Sequence, residues 1–150
     1  MTDDVIILIA EDDEGHFSLI RKNLMRAGIG NEIIRFCNGQ ETLDFLFGAN
    51  GRGIADRRAY LLILDIRMPK VDGVKVLEKM RQDERLRRIP VVILTTTDDP
   101  AEVERCHRLG CSIYIVKPVE YDDFVDAVRK VGSFLSIVSV PQISETYPSG

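Results

Sequence analysis

The first apolar run of this 150-residue chain, Val5 to Ala10, stops after six residues and has no positive segment before it. That excludes a signal peptide or a membrane span there, and the expectation is a cytoplasmic protein with no membrane partner. Cysteine is scarce: Cys37, Cys106 and Cys111 are odd in number and form no CxxC pair. The two histidines, His16 and His107, are far apart, so no zinc cluster is on offer, and free thiols in a reducing compartment are expected. An excess of positive charge is also missing. The formal net charge of −4 gives no footprint for nucleic acid, and Arg57-Arg58 and Arg85 to Arg88 read as solvated faces. His16 and His107 read as solvated helix residues. No internal repeat is visible. A hydrophobic fraction of 45% with 29% charged residues excludes disorder and suits one globular domain.

What is present is an alternation. Val5 to Ala10 is a β-branched run of the kind buried on both faces of a sheet. Similar runs lie at 61–64, 89–94 and 113–116, with a weaker one at 32–36. Between them, apolar residues recur at helical spacing. Phe17, Ile20, Leu24 and Ala27 precede Gly28 as a stop, and Thr42, Leu43, Leu46 and Phe47 follow the Asn38-Gly39 turn. Val74, Val76, Leu77 and Met80 follow Gly73, while Val103, Cys106 and Leu109 precede Gly110. A last helix is expected over 121–138. Five strands alternating with five helices predict an α/β fold, a doubly wound parallel sheet of flavodoxin-like order 2-1-3-4-5. The domain is expected over 1–140, with a polar loop at 48–59 and a flexible tail at 141–150.

In such sheets, ligands bind beyond the carboxyl ends of the strands. There the sequence places Glu11-Asp12-Asp13, Asp65, Thr95-Thr96-Thr97 and Lys117-Pro118. Asp13 reads as the cap of the following helix. Glu11, Asp12 and Asp65 would repel one another unless a cation neutralised them, and Mg²⁺ suits an oxygen-only set. An aspartate carboxylate can attack phosphorus, and phosphoryl transfer needs mainly positioning and charge neutralisation.

These pieces resemble the receiver domains of bacterial response regulators over about residues 5–138. The matching segments are Ile9-Ala10-Glu11-Asp12-Asp13, Leu64-Asp65-Ile66-Arg67-Met68-Pro69 with Asp72-Gly73, Val92-Ile93-Leu94-Thr95, and Tyr114-Ile115-Val116-Lys117-Pro118. The resemblance implies that Asp65 accepts a phosphoryl group from a sensor histidine kinase. It makes Asp12 and Asp65 direct Mg²⁺ ligands, Glu11 a ligand through water, and the Arg67 backbone carbonyl a further ligand. Thr95 becomes the switch hydroxyl, Tyr114 the rotating aromatic and Lys117 the amine that pairs with phosphate. A cis Lys117–Pro118 bond is also implied. The 48–59 loop, Tyr121-Asp122-Asp123-Phe124-Val125 and the long last helix resemble single-domain regulators paired with phytochrome-type kinases.

Arg67 and Thr97 flank the expected path of hydrolytic water, which implies an altered aspartyl-phosphate lifetime. Thr96 narrows access to Asp65. With the chain ending soon after its last helix, no output domain is expected, and signalling passes through partner binding or a histidine phosphotransfer protein. Phe134, Ile137, Val138 and Val140 extend the last helix's apolar surface beyond one buried face, so a homodimer through them is expected. Two other readings stand beside this one. An aspartyl-phosphate phosphatase usually has an acid two residues after the nucleophile, where Arg67 stands; a phosphorylation-independent binding module leaves the acidic site without a use.

Overall fold

The computed structural model describes residues 1–48, 54 and 58–143. Five parallel strands, β1 (Ile6–Ala10), β2 (Ile33–Phe36), β3 (Tyr60–Leu64), β4 (Val91–Thr95) and β5 (Ile113–Val116), lie in the order β2-β1-β3-β4-β5. Five helices connect or follow them: α1 (Glu14–Arg26), α2 (Gly39–Phe47), α3 (Gly73–Arg81), α4 (Pro100–Arg108) and α5 (Tyr121–Leu135). The expected flavodoxin-like topology is therefore the observed one. Register runs without offset across the centre: Ala10 opposes Leu64, Leu64 opposes Ile93, and Ile93 opposes Tyr114.

Successive side chains of a strand point to opposite faces, so each central strand feeds two cores. Ile6, Leu8, Leu62, Leu64, Val91 and Ile93 join Leu43, Leu46, Val76, Leu77 and Met80 of α2 and α3. Ile7, Ile9, Leu61, Ile63, Val92 and Leu94 face the other way, onto Ile20 and Leu24 of α1 and Phe124, Val128, Val131 and Leu135 of α5. Each such side chain taken fully out of water contributes about 1.5–3 kcal/mol. Helix starts are fixed by aspartate or asparagine caps. Asp13, Asn38, Asp72 and Asp99 accept from backbone N–H groups in the first turns of α1 to α4. Pro100 at the first position of α4 sits where its missing N–H costs nothing.

Most strand ends fall within one residue of the sequence expectation, and three larger differences have a physical cause. β4 starts at Val91 rather than 89, because Leu86–Arg88 form a short 3-10 turn and Pro90 has no N–H for the ladder. Helix α5 ends at Leu135 rather than 138; Ile137 and Val138 donate to carbonyls three residues back, which tightens the last turn. Residues 141–143, expected in the tail, pack on the body. Ile143 is buried, its N–H meets the Arg58 carbonyl at 3.2 Å, and Arg88 Nε donates to the Gln142 carbonyl at 2.7 Å. Most of the 48–59 loop and residues 144–150 lie outside the described residues.

One glycine sets the position of the site. Gly73 opens α3 directly against the end of β3, its N–H donating to the Ile66 carbonyl at 2.8 Å. A Cβ there would stand 2.4 Å from the Asp65 carbonyl oxygen and 2.7 Å from Ile66 Cα, both backbone atoms that cannot swing aside. Gly73→Ala should therefore destabilise the chain by about 1–3 kcal/mol in urea unfolding, the usual cost of forced overpacking. An unchanged midpoint would show that the start of α3 is free to shift.

Candidate functional site

The central strands end together, and the residues just past them are polar. Backbone hydrogen bonds pin three of them: Glu11 N–H to Phe36 O at 3.0 Å, Asp65 N–H to Ala10 O at 3.0 Å, and Lys117 N–H to Thr95 O at 2.6 Å. Among the described residues, eight buried side chains are polar or charged, and Glu11, Asp65, Thr95, Thr97 and Lys117 are five of them. Polar burial is thus concentrated at one end of the sheet. Asp12 is exposed at the rim, and carboxylate oxygens of Glu11, Asp12 and Asp65 lie within 4.8 Å of one another.

Lys117 is the buried cation of this cluster. Its ammonium donates to Glu11 Oε1 and, at 3.2 Å, to Asp65 Oδ2. Glu11 Oε2 accepts from the Asp13 N–H at 3.1 Å. Even so, burial pushes the Glu11 carboxyl up to about 7, with the charge of Asp65 acting in the same direction against the pull of Lys117. Two buried carboxylates and one at the rim outnumber the single buried ammonium. An all-oxygen donor set short of positive charge fits a hard divalent cation such as Mg²⁺.

The Thr95 hydroxyl is buried and has no hydrogen-bond partner among the described residues. Leaving such a group unpaired costs roughly 1–3 kcal/mol, which fits a donor reserved for an incoming acceptor. Arg67 lies beside Asp65, its N–H meeting Asp65 Oδ1 at 3.2 Å, and its Nε donates to Thr97 Oγ1 at 2.9 Å. The Thr97 carbonyl in turn accepts from the Tyr114 hydroxyl at 2.7 Å. Burial pushes the Tyr114 phenol up to about 12, so it stays a donor.

Glu11, Asp12, Asp65, Arg67, Thr95, Tyr114 and Lys117 are therefore brought to one strand-end edge, with Asp13 as the α1 cap. The Lys117–Pro118 bond is trans, since no cis peptide occurs among the described residues; trans is the form X-Pro bonds favour by about 0.5–1 kcal/mol. Phe134, Ile137, Val138 and Val140 lie away from this edge, at the end of α5 and beyond. Phe134 and Ile137 are 40% and 80% exposed, whereas Val140 packs against the core layer under α1 and α5. His16, expected as a solvated residue, instead turns toward the site, with Nδ1 3.0 Å from Lys117 Nζ and its ring stacked on Phe124. Its one sequence signal was its place in the first turn of a helix that begins beside the acidic pair.

Comparison with known proteins agrees with this geometry. Residues 7–129 match the response regulator receiver domain family, and the chain belongs to it. It is 46% identical to a solved receiver domain from Rhodospirillum rubrum, with a TM-score of 0.86 over 91% of this chain and 97% of that one. It is 32% identical to response regulator Rcp1 of Synechocystis sp., covering 91% of this chain and 92% of that protein. A Mn²⁺-bound structure of Rcp1 superposes with a TM-score of 0.82 at 29% identity over 91% of this chain and 98% of that one. The phosphorylated cyanobacterial phytochrome response regulator RcpA gives 0.80 at 28% identity, with coverage of 91% and 98%.

The raised Glu11 value has a measurable consequence. Between an ordinary glutamate's 4.5 and about 7, the folded chain holds a proton that the unfolded chain has released. Metal-free stability should therefore fall as pH rises through that window, by at most about 1.4 kcal/mol per pH unit from this one group. Urea unfolding in a chelator should show that Glu11→Gln removes this part of the slope. Equal slopes in the two proteins would contradict the assignment.

Proposed function

We propose that this response regulator accepts a phosphoryl group on Asp65 from a sensor histidine kinase, in a Mg²⁺-dependent reaction, and so switches its binding to partners. The observation that carries the proposal is the buried Asp65 carboxylate beside Lys117 in an oxygen-rich cluster short of positive charge. An Asp65 oxygen forms the new bond to phosphorus as the bond to the kinase imidazole nitrogen breaks, and that nitrogen keeps the electron pair. Lys117 neutralises charge on the transferred group, and the Thr95 hydroxyl donates to it. Glu11, Asp12, Asp65 and the Arg67 backbone carbonyl would hold the Mg²⁺, whose charge offsets that of the phosphoryl oxygens.

The acyl phosphate adds close to two negative charges and new acceptor oxygens. Drawing Thr95 toward them frees space next to Tyr114, whose hydroxyl would leave the Thr97 carbonyl as the ring turns inward. The two arrangements form a biased equilibrium rather than a one-way change. Arg67, tied to Thr97 across the approach to Asp65, is positioned to set the lifetime of the phosphoryl group. The protein acts as a phosphoacceptor whose only chemistry is on itself. Its likeness to the cyanobacterial phytochrome response regulator RcpA supports a phytochrome-type kinase as partner, and a histidine phosphotransfer protein is the further link in the relay.

A homodimer through the end of α5 completes the proposal. Phe134 is exposed beside an apolar groove of 280 Å³ lined by Ile113, Ile115, Ala127, Lys130 and Val131, and exposed Ile137 follows one turn later. Val138 and Val140, both half-buried, follow in the chain and would form the edge of the interface. Light scattering at tens of micromolar, about the range for a modest specific interface, should give a dimer that Phe134→Ser with Ile137→Ser abolishes. A wild-type monomer would remove this part of the proposal.

The phosphoacceptor reading is tested by intact mass after incubation with Mg²⁺ and a small phosphodonor. One added phosphoryl group is expected on the wild type, and none on Asp65→Asn or without Mg²⁺. Equal labelling of Asp65→Asn would overturn the assignment.

A further inference from the structure

A lysine ammonium has three N–H donors and no acceptor. On Lys117, Glu11 Oε1 takes one, Asp65 Oδ2 takes another at 3.2 Å, and His16 Nδ1 lies 3.0 Å from the nitrogen. Because an ammonium can only donate, His16 accepts through Nδ1 and carries its own proton on Nε2. The imidazole is itself held in place. Its ring stacks on buried Phe124 of α5 at 5.5 Å between centroids and 28° between planes, and its backbone N–H donates to Asp13 Oδ1 at 2.9 Å.

We propose that His16 is a positioning residue for Lys117, the neutral third acceptor that keeps the ammonium over the site while its carboxylate partners change. This rests on the receiver reading of Asp65. Glu11 and Asp65 both serve the metal cluster, so cation and phosphoryl group compete for their lone pairs. His16 lies outside that competition. A carboxylate in its place would add negative charge to a cluster that already has an excess, and an apolar side chain would leave a buried N–H of Lys117 unpaired. With His16 present, one N–H can pass from Asp65 to a phosphoryl oxygen while the others remain on Glu11 and His16.

Two substitutions separate the acceptor from the ring. His16→Phe keeps an aromatic face for Phe124 and loses the acceptor; His16→Asn loses the ring and can place Oδ1 near the position of Nδ1. Phosphorylation by acetyl phosphate with Mg²⁺ should be about tenfold slower in His16→Phe, equivalent to about 1.4 kcal/mol. His16→Asn should remain within about threefold of the wild type, less than half of that penalty on a free-energy scale. In metal-free protein, the Lys117 ammonium protons should give a protected ¹⁵N–H NMR signal in wild type and His16→Asn that is lost in His16→Phe. Wild-type behaviour of His16→Phe in both measurements, or a His16→Asn as slow and as unprotected as His16→Phe, would overturn the proposal. A wild type that accepts no phosphoryl group would instead contradict the receiver reading, and the metal-free NMR comparison would still decide whether His16 holds Lys117.

Discussion

The Lys117 ammonium, buried among Glu11, Asp65 and His16 at the end of the sheet, is the contact on which the arrangement of the site depends. It is one positive charge set against three clustered carboxylates, so with all three ionised the group is two charges short of neutral. A buried charge without compensation is costly, and truncating one partner of such a pair usually costs more than the pair contributes. Burial, with the charge of Asp65 acting in the same direction, pushes the Glu11 carboxyl up to about 7, so that near neutral pH the cluster holds part of a proton. A divalent cation bound there would supply the missing charge and displace that proton.

The sheet makes this possible. Four of the strands lie side by side in unbroken register, and each is pinned by ladder hydrogen bonds up to its last residue, so the groups that follow are delivered to one edge. Two apolar layers shield the strands on both faces, and Gly73 lets α3 begin against the backbone of Asp65. Across the edge, Arg67, Thr97 and Tyr114 form a hydrogen-bonded line leading from the site toward the β4–β5 surface. Thr95, whose buried hydroxyl has no hydrogen-bond partner among the described residues, ends β4, and its carbonyl accepts from the Lys117 N–H.

Much of this was legible in the sequence because the signals were local. Apolar runs marked the strands, Asp13 and the Asn38-Gly39 turn marked the first two helix starts, and the residues after four of the five runs carried the chemistry. The rest depended on contacts between distant segments. His16 has only its place in the first turn of α1 as a local sign, and its contact with Lys117 and its stacking on Phe124 of α5 join segments about a hundred residues apart in sequence. Residues 141–143 look like tail by composition, yet pairing of Gln142 with Ala59 and burial of Ile143 hold them to the body. The apolar pattern continues through Ile137 and Val138 past the end of α5, whereas the backbone there tightens into a turn. The Arg67–Thr97 bond joins residues whose proximity could be expected from the resemblance, but whose contact only the folded chain defines.

An acidic cluster short of positive charge should be completed by one divalent cation. Calorimetric titration of Mg²⁺ into metal-free protein, repeated in buffers of different ionisation enthalpy, tests it most directly. One ion per chain is expected, with more protons released on binding below the Glu11 value of about 7 than above it, and binding lost in Asp12→Asn. Absence of Mg²⁺ binding, or binding that neither releases protons nor depends on Asp12, would contradict it.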